Sequence, residues 1–222
     1  MMLFSARIIA IGLLPLLLLA GCSSSDNIPP FSASGYLADR GVVRLWRKNT
    51  PPDYTAIRTL YTPFDQSVTE QTDYQWHNGN LLFMQSHITG GATDDVTLRF
   101  DNQGKLSFMQ RQLQNRRQDV SQQAIELYRF DAGRILKISD ALLAGQIYLQ
   151  QGRWQQNNTV LTCDDQQVQA SLDMESRRMI ARVRSGTASP VYIAWLKGPE
   201  GTQLLRATRV DLCHNQPVAA DL

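Results

Sequence analysis

Tyr74-Gln75-Trp76-His77-Asn78-Gly79-Asn80-Leu81-Leu82-Phe83 is the stretch whose reading decides the fold. Asn-Gly sets two residues that tolerate positive φ between two runs of strand-forming residues. It is the strongest short-range signal for a two-residue β-hairpin. The spacing predicts a strand over Val68 to Trp76 that turns at Asn78-Gly79 into a return strand over Leu81 to Ile88. Working outward toward the N-terminus, a strand is predicted over Tyr54 to Tyr61, after a break at Pro51-Pro52. Before the break, Val43 and Leu45 alternate with Val42, Arg44 and Trp46, which suits a strand with one face more polar than the other. Toward the C-terminus, Gly90-Gly91 and Asp94-Asp95 mark a loop, and Val96, Leu98 and Phe100 form one side of the next strand. Asp101-Asn102-Gln103-Gly104 makes a turn into a return through Leu106 and Phe108.

Arg129-Phe130-Asp131 followed by Gly133-Arg134-Ile135 echoes Arg99-Phe100-Asp101 followed by Gly104-Lys105-Leu106. Two such phrases are too few for a repeat array, and they predict a second hairpin of the same meander. A helix is expected to start at Ser139-Asp140, with Ser139 as its cap, Leu142, Leu143 and Ile147 on one face, and Gly152 at its end. Short strands then return over Thr159 to Cys163, Val168 to Leu172, Met179 to Val183, Val191 to Leu196 and Leu204 to Cys213. The fold class is therefore mainly β: antiparallel hairpins in a meander plus one helix, with a C-terminal part resembling a small β-barrel or sandwich.

The first residues carry a different message. One basic residue, Arg7, precedes an apolar run from Ile8 to Leu19 that contains Pro15 and ends in Leu19-Ala20-Gly21-Cys22. The run is shorter than the roughly 20 apolar residues a spanning helix needs. Basic start, apolar run and small-residue end read as an export signal. The small pair before a cysteine resembles the lipobox of bacterial lipoproteins, which implies cleavage ahead of Cys22 and acylation of its thiol. Two or three acyl chains on one residue give lasting attachment, because affinity grows by about 0.8 kcal/mol per buried methylene. Ser23, rather than aspartate, follows the cysteine, and by analogy with enterobacterial sorting this points to the periplasmic face of the outer membrane.

The expected division is a signal peptide over 1–21, a lipidated Ser/Asn/Pro-rich tether over 22–34, a β meander over 35–138, a helix over 139–152, a C-terminal β part over 153–215 and a tail over 216–222. Losing Arg7 with the signal leaves 21 basic residues (22 minus 1) against 20 acidic ones. So even a balance exerts no long-range pull on nucleic acid. With Cys22 spent on lipid, Cys163 and Cys213 are left in an exported chain, where the oxidising compartment favours a disulfide over two buried thiols. Cys163 shares strand parity with Leu161, and Cys213 with Leu205 and Ala207, which aims both thiols at one apolar layer.

No reactive constellation emerges. There is no Gly-x-Ser-x-Gly elbow, phosphate loop or dinucleotide fingerprint. His77 and His87 flank the hairpin, and His214 follows Cys213, without the paired spacing of a zinc site. No metal and no cofactor is expected. Asp94-Asp95 and Asp164-Asp165 sit in turns, where backbone reasons favour aspartate, and are weak candidates for a carboxylate pair. Trp46, Trp76, Trp154 and Trp195 read as core rather than as a sugar-stacking platform. The feature that stands out on the surface is the basic, amide-rich run Gln110 to Gln118. Its Arg111, Arg116 and Arg117 are a candidate contact for lipid phosphates or glycan, although a solvated edge strand explains the run as well.

Gly35 to Lys48 and Tyr74 to Asn80, with the overall layout, resemble the uncharacterised YjaH-type lipoproteins of enterobacteria. The resemblance implies an exported lipoprotein and brings no catalytic residue with it. The function expected is a non-enzymatic binding or assembly module of the envelope, held to the membrane by its lipid and meeting a protein, glycan or lipid partner. The alternative is a hydrolase acting on glycan or lipid through carboxylates that folding brings together.

Overall fold

A computed structural model describes residues 28–65, 68–186 and 188–222; the expected export signal, Cys22 and the start of the expected tether lie outside the described residues. The first sheet is an antiparallel meander in chain order: β1 (Phe31–Ala38), β2 (Gly41–Thr50), β3 (Tyr54–Pro63), β4 (Thr69–His77), β5 (Asn80–Thr89), β6 (Asp94–Phe100), β7 (Leu106–Leu113) and β8 (Arg116–Gln118). The hairpin expected from Asn78-Gly79 joins β4 to β5, with φ of 50° and 73° at the two turn residues. The tether is shorter than the composition suggested. Phe31 to Ser34 pair in β1 with Leu45 to Lys48 of β2, so the backbone is fixed from there on.

Ser121, not Ser139, caps the long helix α1 (Gln122–Ala144), its hydroxyl accepting from the Ala124 amide at 3.2 Å. The second hairpin predicted around Arg129 to Ile135 is therefore helix. Ile125, Ala132 and Ile135 recur at helical spacing and bury against Leu45, Ile57, Tyr74 and Leu98 of the first sheet. The repeated Arg-Phe-Asp phrase misled because in α1 its phenylalanine, Phe130, faces solvent at 70% exposure, whereas Phe100 is buried in the sheet. Ser139 sits inside the helix, where its buried hydroxyl accepts from Arg47 at 3.1 Å.

The rest of the predicted helix is strand: β9 (Tyr148–Trp154) follows directly, pairing with β10 (Thr159–Thr162), which pairs with β11 (Gln167–Gln169). Gly152 ends no helix. It lies where β10 crosses so closely that a Cβ would come within 2.2 Å of the Leu161 carbonyl oxygen. The strand predicted over Met179 to Val183 is helix α2 (Met174–Arg184), capped by the Asp173 carboxylate accepting from the Ser176 amide at 2.7 Å. That bond holds the Asp173 carboxyl below its ordinary range. β12 (Tyr192–Gly198) and β13 (Gly201–Thr208) complete the second sheet, in the order β11-β10-β9-β12-β13. Neither sheet closes into a barrel; they pack as a sandwich.

Three apolar layers hold the molecule together in the order α1, first sheet, second sheet, α2. Between the sheets, Val42, Trp46 and Leu60 meet Leu149, Ala194, Leu196 and Leu205. Between the second sheet and α2, Ile193 and Trp195 meet Ile180. β2 consequently has no polar face: Leu45 packs toward α1 and Trp46 toward the second sheet, each 1% exposed. Its arginines are buried by the same sandwiching, Arg44 on the sheet side and Arg47 on the helix side, where it meets Asp140 at 2.5 Å.

Candidate functional site

A cleft of about 690 Å³ opens along the seam between β1 and β9, with Phe31, Trp46, Tyr148 and Gln151 among its lining. The C-terminal tail supplies another wall through Gln216 and Val218. That wall is pinned in two ways. The Cys163–Cys213 disulfide ties the tail to the turn after β10. A chain of hydrogen bonds then runs from the buried strand outward. Arg44 donates to Gln151 Oε1 at 3.0 Å and to the Leu212 carbonyl at 3.3 Å. Gln151 donates to Gln216 Oε1 at 2.7 Å, and Gln216 to Asp164 at 3.4 Å. Arg44 has only neutral acceptors, and burial with Arg206 nearby pushes its guanidinium down to about 10.

The chain enters the fold beside this cleft. Pro29 lines it, and Pro29 with Ile28 also borders a shallower hollow formed by Asp140, Leu143 and Tyr148. Ile28, Tyr148 and Val218 stand 53%, 38% and 59% exposed around the two openings. An apolar rim thus surrounds the first of the described residues.

A second pocket, about 370 Å³, lies on the opposite side of the first sheet, between β1–β4 and α1. Glu70, Thr72 and Tyr74 alternate along one face of β4 and project into it, joined by Tyr36, Asp131 and Arg134. Glu70 Oε1 accepts from Ser86 at 3.1 Å and from Thr72 at 3.4 Å. Asp131 accepts from Arg134 at 3.0 and 2.6 Å, and the Tyr74 phenol donates to it at 3.4 Å. Burial, then the Asp131 and Glu70 charges, push the Tyr74 phenol far up. Tyr36 is raised by burial and partly lowered again by Arg134. Folding therefore gathers two carboxylates that sequence reading did not pair, because they come from a strand and from a helix read as a hairpin.

Residues 33–218 match the family described as "Protein of unknown function (DUF1481)". The chain is also 39% identical over 202 residues to the "Uncharacterized protein YjaH" of Escherichia coli (strain K12), covering 90% of this chain and 87% of the relative. The chain belongs to the DUF1481 family. No solved structure matches it.

The DUF1481 fold disperses the other candidates that the sequence raised. Arg111 is committed to Asp94 through two bonds of 2.9 and 2.7 Å, while Arg116 and Arg117 are exposed on the edge strand β8. Register sets Arg116 on the Arg111 face and Arg117 on the other, so the three arginines do not converge on one patch. His77 and His87 do not meet across the hairpin. His77 sits at the turn stacked 4.2 Å from the Tyr54 ring, and His87 is paired with Asp95 farther along. Cys163 and Cys213 are bonded to each other, with Cys213 beyond the end of β13 rather than inside a strand. Among the described residues there is no group of three or more His, Cys, Asp or Glu able to hold a metal ion. Trp46, Trp76 and Trp195 are core, and Trp154 packs against the layer under α2. No described helix is long and apolar enough to cross a membrane.

Proposed function

We propose that this chain is a non-enzymatic binding or assembly module of the bacterial envelope, anchored through acylated Cys22 at the periplasmic face of the outer membrane. The inter-sheet cleft is its working surface, and the observation that carries this reading is the placement of the cleft beside the tether. Five residues lie between Cys22 and Ile28, a span of six chain steps. At most they reach roughly 20 Å even fully extended. A lipid on Cys22 therefore keeps Ile28, Tyr148 and Val218 close to the bilayer surface, with the amide-lined cleft opening beside them. Trp46 and Phe31 give that cleft apolar surface, and Gln151 and Gln216 give it donors and acceptors, a mixture suited to a glycan, a lipid head group or a protein loop.

The hydrolase reading has one observation in its favour, the meeting of Glu70 and Asp131 in the helix-side pocket. Binding is preferred because Asp131 is already held by Arg134 and Tyr74.

Fractionation of cells carrying Cys22→Ala tests the placement. The wild-type protein is expected to sediment with outer membrane, and the variant to be released with the soluble periplasmic contents. A variant that still sediments with outer membrane contradicts the anchor.

A further inference from the structure

The helix-side pocket has a charge pattern that the anchoring role does not use. Three of its lining residues are acidic, Asp39, Glu70 and Asp131, and two are basic, Arg40 and Arg134. Arg134 is consumed by Asp131, and Arg40 adjoins Asp39 in the exposed β1–β2 turn. Glu70 is what remains: among the described residues it has hydroxyl donors, but no cation within ion-pair distance. Tyr36 and Tyr61 line the same pocket half-buried, and Tyr74 lines it more deeply, 3% exposed and stacked on Trp76. At Tyr74, after burial, the charges of Asp131 and Glu70 both raise the phenol.

A carboxylate without a counter-ion in a pocket shared with two half-buried phenol rings is the chemistry that attracts an organic cation. The carboxylate supplies charge, and the ring quadrupoles add attraction for a cation held over a ring face. A divalent metal fits less well, because it asks for more oxygen or nitrogen ligands than one uncommitted carboxylate offers. An anion meets no uncommitted buried guanidinium there. The cavity volume matches a small molecule.

We infer that this pocket binds a small organic ammonium group, with Glu70 as its counter-ion and the half-buried Tyr36 and Tyr61 as its aromatic wall. The ammonium group belongs either to a free amine or to an ethanolamine lipid head group. The inference concerns the opposite side of the first sheet from the cleft, and it holds whether or not Cys22 is acylated.

The test uses the full mature chain with Cys22→Ala, so that no acyl anchor contributes. It is titrated by calorimetry with putrescine, ethanolamine and choline. In parallel it is mixed with vesicles of phosphatidylethanolamine and with matched vesicles of phosphatidylglycerol. At least one ammonium probe is expected to saturate, and Glu70→Gln is expected to weaken it by about tenfold or more. Tyr36→Leu weakens it several-fold, with both variants melting near the parent temperature. Saturation by soluble amines alone identifies a free amine as the source. Binding confined to phosphatidylethanolamine vesicles identifies the head group. Absence of saturation by every ammonium probe at millimolar concentration overturns the inference, as does binding that Glu70→Gln leaves unchanged. If Glu70→Gln fails to fold, Glu70→Asp and Tyr36→Leu decide in its place, and unchanged affinity in both overturns it.

Discussion

Replacing both bridged cysteines, as Cys163→Ala with Cys213→Ala, is expected to lower unfolding stability by about 4 kcal/mol. The bridge closes a separation of 50 residues. The estimate rests on the chain entropy such a loop removes from the unfolded state, and measured losses of native bridges fall at about 2–5 kcal/mol. For a chain of this size, that corresponds to a fall in melting temperature of roughly 10 °C. The effect is local as well as global. The tail beyond Cys213 carries Gln216 and Val218 into the cleft, and Leu212 accepts from both Arg44 and Gln151. Hydrogen exchange should therefore accelerate first in residues 210–222 and in the turn after β10. A double variant that melts within about a degree of the parent would mean that packing alone fixes the tail.

Trp46→Ala is expected to cost about 3–5 kcal/mol, the usual range for deleting a fully buried aromatic ring. Trp46 is 1% exposed and is among the largest side chains so buried. It packs between the sheets, and Arg44 lies 5.6 Å from its ring centre. Both sheets lose contact at once, so the transition should remain a single one at lower denaturant concentration rather than split in two. Urea unfolding followed by far-ultraviolet circular dichroism checks this. A shift below about 1 kcal/mol would show that the seam collapses around the missing ring, and that the two sheets are not joined through it.

The sequence made the hairpins legible wherever turn chemistry is local. Asn78-Gly79 is the clearest case, because positive φ at both residues leaves few alternatives. The Cys163–Cys213 disulfide is legible from the cysteine count together with the expectation of export. What sequence could not show was set by distant contacts. β2 reads as half-polar because Arg44 looks like a surface residue, yet it is buried, as is Arg47 on the other face. Their acceptors lie 107 and 93 positions away in sequence, on Gln151 and Asp140. α1 was missed because Gly133 and the repeated Arg-Phe-Asp phrase imitate a turn, although Ser121 ahead of Ala124 was an available start signal. α2 was read as strand since Met179 to Val183 alternate over too short a window to tell the two periods apart. The helix-side pocket was invisible for the same reason: Tyr74 and Asp131 stand 57 positions apart and meet only after α1 lies across the first sheet.

Depth-resolved lipid quenching tests the central claim most directly. A small fluorophore is placed on Val218→Cys, at the cleft mouth, or on Gln85→Cys, on an exposed strand residue away from it, in the lipidated protein reconstituted with head-group-brominated lipid. The account predicts strong quenching at position 218 and little at position 85. Equal quenching at the two positions, or stronger quenching at 85, would mean that the tether end does not face the bilayer and that the cleft opens elsewhere.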